Sequence, residues 1–168
     1  MKIIFMFTPD FAVPCLKKLI SDGHSVEAVF TREDKPVGRK HILTAPPVKV
    51  AALAHNIPVF QPKKLRDNNE VLELIKNINP DMIVVVAYGC ILTKEILDIP
   101  KYGCVNVHGS LLPKYRGSAP IQWSVINGDK ETGVTTMLMD EGVDTGDILE
   151  VSTMPIDDND TGGSLFDK

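Results

Sequence analysis

Cysteine is scarce and unpaired: Cys15, Cys90 and Cys104 are the only three in 168 residues. An odd count with no CxxC spacing, set among apolar neighbours, excludes a disulfide scaffold and a thiolate zinc site. It predicts reduced core thiols in a cytoplasmic protein. Long hydrophobic runs are also missing. None approaches the roughly 20 residues that a membrane-crossing helix needs. Ile3 to Phe7, after Met1 and Lys2, is too short for a signal peptide and no cleavage-like site follows it. A soluble chain without a membrane partner is expected. Charge of one sign is not in excess, with 18 Lys and Arg against 22 Asp and Glu, so any contact with nucleic acid has to come from a local basic patch. The glycine signature of a dinucleotide site is absent as well, because FTPDFAVP follows the first apolar run where GxGxxG would stand. That removes the main support for a dehydrogenase.

What is present is an alternation of strand and helix patterns. Lys2 to Phe7 predicts a buried strand, and Thr8 as cap with Pro9 at the first position predicts a helix starting there. Val13, Leu16, Leu19 and Ile20 line that helix and Gly23 stops it. Ser25 to Phe30 predicts the second strand of a parallel βαβ unit. Thr31 to Pro47 carries Arg32, Lys35, Arg39, Lys40 and His41 around Gly38, and its length and irregularity predict an exposed functional loop. Helices are expected at 48–55 and 71–78, a short strand at 59–60, and a central strand buried on both faces at Met82 to Ala87. Further on, the pattern gives a helical turn at 94–97 and strands at 103–108 and 133–139. A helix capped by Ser118 reaches Asn127, Asp147 to Ser152 pairs back antiparallel, and a last helix starts at Thr161. The fold class expected is α/β, one domain with a mostly parallel open sheet and helices on both faces. Its crevice would open at the carboxyl ends of the strands, after Phe7, Ala87, His108 and Met139.

In the segment CVNVHG (104–109) side chains alternate, so the valines share one face while Asn106 and His108 share the other. An unpaired buried polar group costs ~1–3 kcal/mol, so both need partners. They are either an internally bonded pair or part of a site at the strand's end. The segment MDEGVDTGD (139–147) follows the next strand as a tight acidic loop. It lacks the terminal glutamate of a calcium loop, and a carboxylate facing His108 is the better use. Amide, imidazole and carboxylate without metal ligands suit acyl transfer to an amine: the amide stabilises an oxyanion, the imidazole exchanges protons, and the carboxylate orients it. Ser110 has no GxSxG elbow around it, which leaves a covalent serine mechanism weakly supported.

The segments TPDFAVP (8–14), VVVAYGCIL (84–92), GCVNVHGSLLPKYRGSAPIQW (103–123) and TGVTTMLMDEGVDTGDIL (132–149) resemble the methionyl-tRNA formyltransferases, in family order and spacing across the whole chain. The resemblance implies a Rossmann-like formyltransferase domain over 1–168, incomplete at its C-terminal end and without the family's C-terminal tRNA-binding barrel. It implies a cytoplasmic, monomeric enzyme of translation initiation that uses 10-formyltetrahydrofolate as a one-carbon co-substrate, with no metal, and initiator Met-tRNA as partner. Asn106, His108 and Asp144 match the catalytic trio. Ser110, Leu111, Leu112 and Pro113 match the folate-contacting segment, and Tyr88, Gly89, Cys90, Ile91, Leu92, Asp140, Glu141, Gly142 and Val143 match the walls of the pterin pocket. Lys35, Arg39, Lys40 and His41 fall in the segment that contacts the tRNA acceptor arm. Two departures stand out: Phe7 replaces the family's glycine and puts a bulky ring near the crevice floor, and GRKHIL replaces GRGKKL. A transferase acting on a small amine, a formyltetrahydrofolate hydrolase and an inactive folate-binding fragment are the alternatives.

Overall fold

The computed structural model describes residues 1–8 and 12–168. The chain forms two compact units, Met1–Cys104 and Val105–Lys168. In the first, β1 (Lys2–Phe7) lies between β2 (Ser25–Phe30) and β6 (Met82–Val86), and β2 also pairs with β5 (Val59–Phe60), all in parallel. Apolar side chains on both faces of β1 and β6 make this the core: Ile3 to Phe7 are fully buried, and Ile83 to Val86 nearly so. Phe7 belongs to that core. Its ring is wholly buried and tilted against Phe5 at 5.8 Å.

Helices flank these strands. α1 is Val13–Ser21, α2 Pro47–Ala54, α3 Asn69–Ile78 and α4 Lys94–Leu97. The helix expected from Thr8 instead begins at Val13 after Ala12, with a proline in its first turn. Thr8 donates its hydroxyl to the Tyr88 carbonyl at 3.3 Å. Pro9 lies outside the described residues. Asn68 does cap α3, accepting from the Val71 N–H.

The basic segment is more regular than its glycine and prolines suggested. Lys35–Val37 (β3) and Ile42–Thr44 (β4) pair antiparallel as a separate two-stranded ribbon. Gly38 and His41 both take positive φ at its turn. Short β-forming pairs such as Val37 and Ile42 outweigh the irregular composition between them.

In the second unit, β7 (Cys104–His108), β8 (Glu131–Leu138) and β9 (Ile148–Pro155) pair antiparallel in that order. This corrects the expectation that Met139 and His108 sit at the same end of parallel strands. His108 faces Thr135, and it is Val105 that faces Leu138. Alternating burial, as seen along β7, belongs to sheets with unlike faces, and antiparallel pairing is its usual form. α5 spans Pro120–Ile126. Ser118 does not cap it, because Ala119 at that position turns left-handed and no side chain accepts there. α6 (Gly162–Asp167) starts where expected, with Thr161 and Ser164 closing a reciprocal capping box.

Candidate active site

Asn106 and His108 project from the same face of β7 and are 9% and 7% exposed. Both meet Asp144. The Asn106 amide donates to Asp144 Oδ1 at 3.1 Å, and His108 Nδ1 stands 3.5 Å from Asp144 Oδ2. The Gly117 N–H also donates to Oδ2, at 2.8 Å. Asp144 adopts a left-handed backbone (φ 51°) that a non-glycine residue takes at some expense. Three surrounding groups hold it there, the kind of outlier that gathers at working sites.

The acidic loop leaves β8 at the far end from His108, so it has to fold back over the sheet face to bring Asp144 to β7. Two features close it. The Leu138 N–H donates to the Asp147 carbonyl at 2.8 Å, and Asp140 Oδ1 accepts from Gly142 N at 2.9 Å and from the Thr145 hydroxyl at 2.6 Å. The Thr145 bond is the main reason the Asp140 carboxyl titrates below its ordinary range, with Gly142 adding to it. Asp140 is therefore a loop brace. Glu141, Gly142 and Val143 are exposed along the rim.

His108 Nε2 lies 2.8 Å from the Tyr115 carbonyl. A carbonyl only accepts, so Nε2 carries a proton, and Nδ1 is the nitrogen that faces Asp144. The Tyr115 phenol is tied down in turn, donating to Asp129 at 2.8 Å and accepting from Asn127 at 3.0 Å.

The loop 110–117 is built around a residue that sequence reasoning missed. Thr135, fully buried on β8 opposite His108, donates to the Ser110 carbonyl at 2.6 Å and accepts from the Leu112 N–H at 3.2 Å. A hydroxyl at an inward position of that strand was its signal. Tyr115 and Gly117 act through backbone atoms and gave none. Ser110 is fully buried and donates its hydroxyl to the Lys114 carbonyl at 2.7 Å, which leaves Leu111, half-buried, and Pro113, exposed, as the apolar surface of this segment. Leu112 is buried beneath them.

The remaining expected residues belong to the first unit. Tyr88 and Leu92 are buried, Cys90 is half-buried, and Gly89 and Ile91 are exposed. Burial pushes the Tyr88 phenol well above its usual range. Lys35, Arg39, Lys40 and His41 are all exposed on the β3–β4 ribbon. Among the described residues no group of three or more His, Cys, Asp or Glu could hold a metal ion, and no helix is long and apolar enough to cross a membrane.

A family profile described as formyl transferase matches residues 1–168. The chain is 58% identical over 168 residues to a methionyl-tRNA formyltransferase of Alkaliphilus oremlandii, covering 100% of this chain and 54% of that protein. To that of Clostridium perfringens strain 13 it is 60% identical over 167 residues, covering 99% and 54%. The chain thus spans about half the length of the curated relatives it matches. Among solved structures, a phosphoribosylglycinamide formyltransferase from Bacillus halodurans superposes with a TM-score of 0.80 at 25% identity, covering 98% of this chain and 84% of that one. Another, from Anaplasma phagocytophilum, gives 0.83 at 19% identity, covering 99% and 78%, and speaks for the fold alone. The fold is the α/β, mostly parallel, Rossmann-like formyltransferase fold, and the chain belongs to the formyl transferase family.

Proposed function

We propose that this chain carries the formyl-transfer site of a methionyl-tRNA formyltransferase, moving the formyl group of 10-formyltetrahydrofolate onto the α-amine of methionine borne by initiator tRNA. The observation that carries this reading is the convergence of Asn106 and His108 on Asp144. The names of the curated relatives support the acceptor, as does the exposed basic ribbon.

The folate supplies a formyl carbon bonded to a nitrogen that can leave. The Asn106 amide has a second N–H besides the one given to Asp144. It donates that N–H to the oxyanion that develops as the neutral amine attacks. The Nε2–H of His108 is given to the Tyr115 carbonyl, so the imidazole acts through Nδ1 on Asp144. Asp144, exchanging protons with His108 at Nδ1, receives the proton that the attacking amine loses and returns one to the departing nitrogen. Proton count and charge are balanced over the cycle. Leu111 and Pro113 offer the apolar wall that a flat ring system needs.

The test is transfer of labelled formyl from 10-formyltetrahydrofolate to Met-tRNA, to a small glycinamide acceptor, and to water alone. Product on the tRNA alone is expected. Equal product on the small amine, or formate release without acceptor, sinks the reading.

A further inference from the structure

The β3–β4 ribbon has three residue pairs, all exposed, and among the described residues it joins no other sheet. A two-stranded ribbon of this size is marginal alone in water, so its attitude is set where it meets the body. At that root stands Asp34. Lys49 of α2 donates to both its oxygens, at 2.8 and 2.9 Å, and also to Gln61 Oε1 at 2.9 Å. Gln61 completes the ring through its Nε2, which donates to Asp34 Oδ1 at 2.8 Å and to the Arg32 carbonyl at 2.6 Å. The Asp34 and Lys49 side chains are only 25% and 22% exposed. Asp34 precedes β3 and Lys49 follows β4, so their bond joins the two legs of the ribbon across 15 residues. Arg32 adds a tether, donating to the Gly89 carbonyl at 3.2 Å. A side chain on Gly89, itself at φ 71°, would collide with that guanidinium.

We infer that Asp34, clamped by Lys49 and Gln61, is a positioning residue for acceptor binding: it presents the ribbon's cations as a fixed fork to an RNA phosphate backbone. This rests on the acceptor reading proposed above. The segment from Lys35 to Val48 contains no Asp or Glu, and the clamp pairs the carboxylate directly before it, Asp34, with the Lys49 ammonium.

The sign of one substitution separates positioning from plain electrostatics. Asp34→Asn removes a negative charge beside the basic ribbon. If only the field mattered, RNA would bind more tightly; if the root matters, RNA binds more weakly. The probes are hydrogen exchange of the amides at 35–44 and titration with a short RNA stem-loop bearing a single-stranded 3′ end. In Asp34→Asn, exchange should run about tenfold faster, RNA affinity should fall severalfold, and the acceptor KM should rise more than kcat falls. The double exchange Asp34→Lys with Lys49→Asp should bring amide exchange part of the way back, because the reversed pair still joins the two legs while a turned-over Gln61 no longer serves the Arg32 carbonyl; exchange as fast as in Asp34→Asn counts against the clamp. Unchanged exchange, or tighter RNA binding, in Asp34→Asn overturns the root. Failure of the unaltered chain to bind the RNA overturns the acceptor reading itself and the positioning role with it.

Discussion

The two units solve opposite problems with similar strands. β6 in the first unit is apolar from Met82 to Val86 and its interior residues are nearly inaccessible. β7 in the second alternates, and the more buried face of the strand carries Asn106 and His108. A continuous apolar strand is held by dispersion and solvent exclusion, and any side chain of suitable volume serves it. The alternating strand buries polar groups, so each needs a named partner. Stability in the first unit depends on composition, and in the second on particular pairs.

Breaking the first unit takes a charge. Val85→Asp places an unpaired carboxylate where the residue is 4% exposed, a penalty of several kcal/mol, and urea titration should find little folded protein. Asn106→Ala is the counterpart in the second unit. Loss of an oxyanion donor should lower turnover by ~10²–10³ in single-turnover formyl transfer, while the urea midpoint moves far less than for Val85→Asp. Thr135→Val keeps shape and removes the hydroxyl that serves Ser110 and Leu112. Leaving those buried backbone groups unpaired should cost ~1–3 kcal/mol in urea unfolding, with a parallel fall in kcat as the 110–117 loop loosens. An unaltered kcat would separate the loop from the chemistry.

The smallest effect concerns Asp160 beside α6. Its carboxyl is lowered to about 2, first by the Lys168 ammonium, then by the Asp157 N–H and the Ser164 hydroxyl. The unfolded chain releases that proton near pH 3.9. The stabilisation is therefore fully present above about pH 4 and is lost as pH falls through about 2. Amide shifts of Thr161 and Ser164, followed by NMR on acidification, should report loosening of the helix start in that window and none above it.

Much of this was legible in the residues. The apolar runs located β1 and β6, the alternation in CVNVH put Asn106 and His108 on one face, and Thr161 marked its helix. The reversal of β8 was not legible, because GVTTML reads as a strand without stating its direction. Consequently Asp144 was paired with the right residues through a mistaken picture of neighbouring strand ends. The ribbon at 35–44 was hidden by Gly38 and the flanking prolines. Tyr115 and Gly117 reach His108 and Asp144 through main-chain atoms, which no side-chain pattern reveals. The clamp at Asp34 joins residues from three separate segments and exists only once α2 and β5 have packed.

The fold-back of the acidic loop has a consequence for how this site fails. Its two ends close on each other between Leu138 and Asp147, and at Gly146 a β-carbon would run into the Leu138 carbonyl. The loop behaves as a gauge of fixed length. Its exposed rim at Val143 can vary in chemistry without shifting the distance from strand to carboxylate, whereas one residue added or removed, or a methyl group at 146, would leave every reacting group present and out of reach of the others.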